Sequence, residues 1–140
     1  MTHSVILVDT GVLVSLYDKA DCYHDQVIEF LRAYRGRLIT TLGCVTEVMW
    51  LLASDYRVQN EFLRHLSEQI YECETLQKAD FLRIAELNQQ YSDLPADFSD
   101  LALVAVSERL NIPGIATLDK DFDVYRRYRS QPFERVFYPR

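Results

Sequence analysis

The order of apolar and polar positions divides the chain into alternating strands and helices. Val5-Ile6-Leu7-Val8 is continuously apolar and rich in β-branched residues, the pattern of a strand buried on both faces of a parallel sheet. Asp9-Thr10-Gly11 breaks it, and a short helix is predicted to start over Leu13–Leu16. From His24 to Tyr34, apolar residues Val27, Ile28, Leu31 and Tyr34 recur at helical spacing, and Gly36 lies just beyond. Leu38-Ile39-Thr40 predicts a second short strand. Thr41 is placed to cap a helix that runs through Glu47 to about Ala53. Val58, Phe62 and Leu66 predict a helix ending at Ser67, and Ile70–Leu76 a weak strand. Ala79–Tyr91 is amphipathic, and Asp93-Leu94-Pro95 reads as a loop. Asp97 or Ser99 can cap a helix that extends to Leu110. Ile112–Leu118 contains a strand, and Phe133–Tyr138 offers a last one.

Strands that alternate with helices in this way imply an α/β domain, with a central, mostly parallel sheet and helices on both faces. A length of 140 residues fits one domain over 1–140, and no internal repeat, low-complexity segment or linker interrupts it. The hydrophobic fraction of 49 % supports a packed core and excludes disorder. A net charge of −6 disfavours a protein that coats nucleic acid, because phosphate attraction supplies most non-specific affinity. It disfavours a nuclease less, since clustered metal ligands themselves lower the net charge and bound cations reverse their field. Cys22, Cys44 and Cys73 are odd in number, far apart and free of any CxxC spacing. They read as reduced thiols of a cytoplasmic protein. No signal peptide is evident, and no apolar run reaches the roughly 18 residues of a membrane span.

The acids change the picture most. Asp9 follows the apolar run Val5–Val8, Glu47 interrupts Cys44–Leu52, Asp97 and Asp100 open Leu101–Val106, and Asp119 and Asp121 close Ile115–Leu118. Carboxylates seldom lie beneath apolar surface without a neutralising partner. No lysine or arginine is interleaved with the first three groups. A divalent cation is the economical alternative, since hard cations take oxygen ligands. Each acid also has an ordinary reading: Asp9 as a turn or cap residue, Asp119 as a turn residue, Asp97 as a cap, Asp100 as a first-turn residue favoured by the helix dipole, Glu47 on a solvent-facing strip. The conjunction is harder to explain in that way. Ligands of open α/β sheets gather beyond the carboxyl ends of strands, and Asp9 and Asp119 both fall just past strand ends.

Four segments carry a resemblance to one family. Val-Asp-Thr-Gly-Val-Leu at 8–13 resembles the opening of a PIN domain. Thr46-Glu47-Val48 resembles its second acidic motif, the run from Asp97 to Ala105 its third, and Thr117-Leu118-Asp119-Lys120-Asp121-Phe122 its fourth. The resemblance covers nearly the whole chain and is closest to the single-domain VapC-type toxins of toxin–antitoxin pairs. Leu101 stands where the third motif often has alanine. The resemblance implies a PIN-like three-layer sandwich and a ribonuclease that depends on Mg²⁺ or Mn²⁺. It assigns Asp9, Glu47, Asp100 and Asp119 as catalytic metal ligands. Asp97 and Asp121 stand as secondary acids, and Thr10 and Thr117 as hydroxyls that orient a carboxylate or a bound water. It further implies an RNA substrate, a homodimer, for which the apolar helices between 44 and 66 offer surface, and a cognate antitoxin that inserts a basic side chain among the acids.

Other features have weaker claims. His3, His24 and His65 lie outside all four motifs and read as surface or packing residues. Tyr125-Arg126-Arg127-Tyr128-Arg129 mixes cations with rings; it could grip phosphates and stack a base, or be a solvated segment with tyrosines packed on the core. Arg32, Arg35 and Arg37 read as solvated, and Trp50 as core. Two other doubly wound designs fit poorly. A haloacid-dehalogenase-like phosphatase needs a second acid at position 11, where Gly11 stands, and a receiver needs an aspartate after its third strand, which Ile70–Leu76 lacks. A PIN fold kept as a binding module would be expected to lose an acid, and all four are present.

Overall fold

The computed structural model describes residues 3–94 and 96–140; Pro95, part of the predicted loop, lies outside the described residues. Strand β1 is Val5–Val8, as the apolar run predicts. Helix α1 follows at once, Thr10–Tyr17, earlier than its apolar spacing suggests. Asp9 starts it there, because its carboxylate accepts the Thr10 N–H at 2.7 Å. Next come α2 (His24–Ala33), β2 (Arg37–Thr41), α3 (Leu42–Leu51), α4 (Tyr56–Ser67), β3 (Glu72–Glu74), α5 (Lys78–Gln90), α6 (Phe98–Leu110) and β4 (Gly114–Ala116). Thr41 caps α3 and Asp97 caps α6, each by accepting a backbone N–H from the first turn. Beyond β4 lie a 3₁₀ turn at Lys120–Asp123, the paired β5 (Arg126–Arg127) and β6 (Gln131–Pro132), and β7 (Glu134–Arg135).

The main sheet has five strands in the order β3-β2-β1-β4-β7, and every pair in it is parallel. The chain winds outward from β1 through β2 to β3, then returns to the other side of β1 as β4. The order therefore reverses between β1 and β4, and the crevice beyond their carboxyl ends is where ligands of such sheets bind.

Strand pleating sorts the core. Leu7, paired with Ile39 and Ile115, faces one layer, where it packs with α5, the buried stretch Leu101–Val106 of α6, Phe122 and Tyr125. Ile6, Val8 and Ala116 face the other, against Val12 and Leu13 of α1, Val27 of α2, Val45 and Val48 of α3, and Phe62 of α4. Helix α6 is apolar all round and correspondingly buried from Ser99 to Ser107. It crosses α3 closely at Gly43, where an added Cβ would stand 3.0 Å from the Ser99 hydroxyl.

Three expectations are corrected. Trp50 is not core: it is 79 % exposed. The buried face of α3 is formed by Cys44, Val45 and Val48, and at about 3.6 residues per turn Trp50 points to the opposite side. The strand predicted over Ile70–Leu76 shrinks to Glu72–Glu74, and that over Phe133–Tyr138 to Glu134–Arg135. Both are edge strands, where pairing on one side alone sets the length.

Candidate metal centre

Three elements deliver acids to the crevice between β1 and β4. Asp9 leaves β1 and caps α1. Its Oδ2 accepts the Thr117 hydroxyl at 2.8 Å, so both carboxylate oxygens are held. Thr117 follows β4, and its Oγ1 accepts the Asp119 N–H at 2.9 Å. Asp119 in turn accepts the Asp121 N–H at 2.8 Å and caps the 3₁₀ turn. Asp97 accepts the Asp100 N–H at 2.9 Å, which fixes the first turn of α6 and with it Asp100. The Tyr125 hydroxyl donates to Asp100 Oδ2 at 3.1 Å.

The result is a cluster. Asp9, Asp100 and Asp119 each present an oxygen within 4.8 Å of the other two. Asp9 is 5 % exposed and Asp100 7 %. Burial, and secondarily the neighbouring carboxylate charges, push Asp100 up to about 8. Burial pushes Asp9 up to about 6, against the hydrogen bonds from Thr117 and Thr10 that lower it. Three carboxylates so placed repel one another, and the neighbouring charges that raise Asp9 and Asp100 are those of other aspartates. An all-oxygen, anionic donor set half enclosed by protein fits a hard divalent cation, which neutralises what the protein leaves unbalanced.

Glu47 stands beside the cluster rather than within it. The Thr10 hydroxyl donates to its Oε1 at 2.9 Å, while the Thr10 N–H serves Asp9, so one threonine ties Glu47 to the centre. Asp97 is exposed, and its charge raises both Asp9 and Asp100. Asp121 is half-buried and raised by burial, then by Asp119 and Asp97.

Two residues read from the sequence only as a tyrosine packed on the core and a reduced thiol border the acids. Tyr125 is wholly buried, edge-on to Phe122 and Tyr91, and meets Asp100 from below. Its only signal is the three-residue step from Phe122, which puts both rings on one side of the turn. Cys44 is also wholly buried, and burial together with the Asp9 charge pushes its thiol up to about 11.

The remaining candidates lie elsewhere. His3 pairs with Glu134 at 2.9 Å, His24 Nδ1 lies 2.8 Å from the Ser15 carbonyl, and His65 pairs with the Tyr17 hydroxyl. The segment 125–129 divides. Tyr125 and Arg127 turn inward, with Arg127 donating to the Ser107 carbonyl at 3.2 Å and to Asn111 at 3.3 Å. Tyr128 and Arg129 face outward. Arg37 is bound to Glu72 through two hydrogen bonds, at 2.7 and 2.8 Å.

Comparison with known proteins agrees with this architecture. Ribonuclease VapC26 of Mycobacterium tuberculosis is 26 % identical over 117 residues, 82 % of this chain and 87 % of that protein. VapC20 of the same organism, a toxin that cleaves the sarcin–ricin loop, superposes with a TM-score of 0.79 at 18 % identity, covering 85 % of this chain and 93 % of that one. A chain of VapBC2 from Rickettsia felis, solved bound to a DNA fragment from its promoter, gives 0.68 at 15 % identity, covering 94 % and 98 %. The sequence model of the PIN domain matches residues 6–128, from β1 through β5, and the chain belongs to the PIN domain family.

Proposed function

We propose that this protein is a divalent-metal-dependent endoribonuclease, acting in the cytoplasm as the toxin of a toxin–antitoxin pair. The observation that carries the reading is the convergence of Asp9, Asp100 and Asp119 at the point where the strand order reverses. In this reading those three aspartates hold Mg²⁺ or Mn²⁺, and Glu47 closes the site from the α3 side. Thr117 and Tyr125 orient the Asp9 and Asp100 carboxylates, and Thr10 orients Glu47. Asp97 and Asp121 deepen the negative potential that draws the cation in. A divalent ion so bound supplies Lewis-acid activation of water and of the phosphodiester.

The likeness to a named ribonuclease and to chains of VapBC complexes supports the choice of RNA and of an antitoxin partner. The partner closes the site by placing an arginine or lysine among the aspartates, where a cation replaces the metal's charge. The chain also forms a homodimer. Its face is the α3–α4 surface, where Trp50, Leu51, Tyr56 and Leu63 are exposed together. Light scattering at micromolar concentration should give the dimer mass; a monomer mass removes that element.

The test of activity is cleavage of a mixed RNA pool by wild type with Mg²⁺ or Mn²⁺, by wild type with EDTA, and by Asp100→Asn. Cleavage should require the metal and vanish in the variant, while the fold persists because asparagine keeps the shape of aspartate and an oxygen to accept the Tyr125 hydroxyl, and Asp97 still caps the helix. Metal-independent cleavage, or a fully active Asp100→Asn protein, sinks the mechanism.

A further inference from the structure

An apolar groove of about 730 Å³ opens between the start of α3, the end of β3, α5 and the start of α6. Its apolar wall includes Leu42, Leu76, Phe81 and Phe98. The Phe81 and Phe98 rings run nearly parallel, with centroids 6.4 Å apart and planes 28° apart, and both are about half exposed. Singly exposed aromatic residues are ordinary, but a pair stacked along a cleft forms a contiguous apolar surface of the kind that marks ligand-binding grooves.

The groove is continuous with the acid cluster. Ser99 lines it and directly precedes Asp100. Glu47 lines it as well and shares Thr10 with Asp9. No lysine or arginine lines it among the described residues. Such a surface is poor at holding a phosphate. It suits the neutral face of a nucleobase, whose ring stacks on phenylalanine and whose amino edge meets carboxylate and hydroxyl acceptors.

We propose that this groove seats an unpaired base of the RNA substrate beside the acid cluster, with its face on Phe81 and Phe98. The inference rests on the nuclease reading and adds to it a requirement for a single-stranded nucleotide next to the cleaved bond.

The test uses single-stranded oligoribonucleotides that the wild type cleaves, with Mn²⁺ present, and follows KM and kcat separately. Phe81→Ala/Phe98→Ala should raise KM by about 5- to 100-fold, the effect of losing base–aromatic stacking. Its Mn²⁺ affinity, measured by calorimetry, should stay at the wild-type value, since neither ring belongs to the cluster. Phe81→Trp should keep KM near wild type, because a larger ring still stacks, while Phe81→Leu should not. Leu82→Ala, on the same helix and exposed but outside the groove, controls for surface changes on α5. An unchanged KM in the double alanine variant overturns the groove assignment while leaving the nuclease intact. Unchanged KM together with lost inhibition by a protein partner gives the groove to that partner and overturns it equally. If the wild type cleaves no RNA with either metal, the nuclease reading falls and this inference with it.

Discussion

The Thr117 hydroxyl stands between the two acids that leave the strand ends. It donates to Asp9 Oδ2 and accepts the Asp119 N–H, so one oxygen sets the spacing of both. Removing it leaves a nearly buried carboxylate oxygen without its donor, and Asp9 then loses one of the two hydrogen bonds that favour its charged form. Thr117→Val should therefore weaken Mn²⁺ affinity and RNA cleavage together, by about 10- to 100-fold, as outer-shell changes at metal sites do. Thr117→Ser should restore most of both. Full activity and unchanged Mn²⁺ affinity in the valine variant would reduce this hydroxyl to packing. The acids themselves are legible in the sequence, because each interrupts or ends an apolar run and charge is conspicuous there. Tyr125 is legible as a tyrosine packed on the core, but its contact with Asp100 is not. Its phenol reaches Asp100 only because the 3₁₀ turn after Asp119 folds the chain back under α6, and no periodicity encodes the direction of that turn. Trp50 misleads for the complementary reason. Residue type alone argues for burial, whereas the helical phase set by Cys44, Val45 and Val48 turns it outward.

At the scale of elements, legibility follows burial. β1 matches its apolar run end to end because both of its faces are covered and both neighbours are strands. The starts of α3 and α6 are readable from Thr41 and Asp97, since a cap is a local hydrogen bond that the sequence states directly. Asp9 extends that logic. It reads as a turn or cap residue after a strand and does start α1, so the helix begins before its first apolar residue, whereas apolar spacing alone places the start at Leu13. The pairing of β5 with β6, only two residues each, leaves no pattern to read. The double use of Asp9 and Asp97 also couples fold to site. The hydrogen bonds that begin α1 and α6 aim Asp9 and Asp100 at each other, so the cluster is a by-product of how two helices start.

For the whole molecule, the cluster is a charge held against repulsion, and that has a measurable consequence. An aspartate in an unfolded chain titrates near pH 4, about 3.9. In the folded protein Asp9 is pushed up to about 6 and Asp100 to about 8, by burial first and neighbouring carboxylates second. Groups raised in this way favour the folded state while protonated. Their contribution is complete below about pH 4 and is lost as pH rises through 6 and then 8. Asp121 is raised in the same direction, by burial and then by Asp119 and Asp97, and adds to that loss. Four further shifted groups act outside that window. Asp55 and Glu72 are lowered by hydrogen bonds from Arg57 and Arg37, so their contributions change below the ordinary carboxylate range. Cys44 and Tyr125 are raised by burial and titrate above it. The thermal midpoint of the metal-free protein should thus fall between pH 5 and 9. Asp100→Asn should flatten the upper part of that fall, because the variant has no charge there to develop. Adding Mg²⁺ or Mn²⁺ to the wild type should raise the midpoint, and by more at pH 8 than at pH 5, since protons compete with the ion for the same oxygens. Melting curves across this range, with and without the ion and with Asp100→Asn beside wild type, check all three outcomes. A midpoint that climbs toward pH 9 without metal, or a metal effect that shrinks with rising pH, would mean that the three carboxylates are not held together in solution.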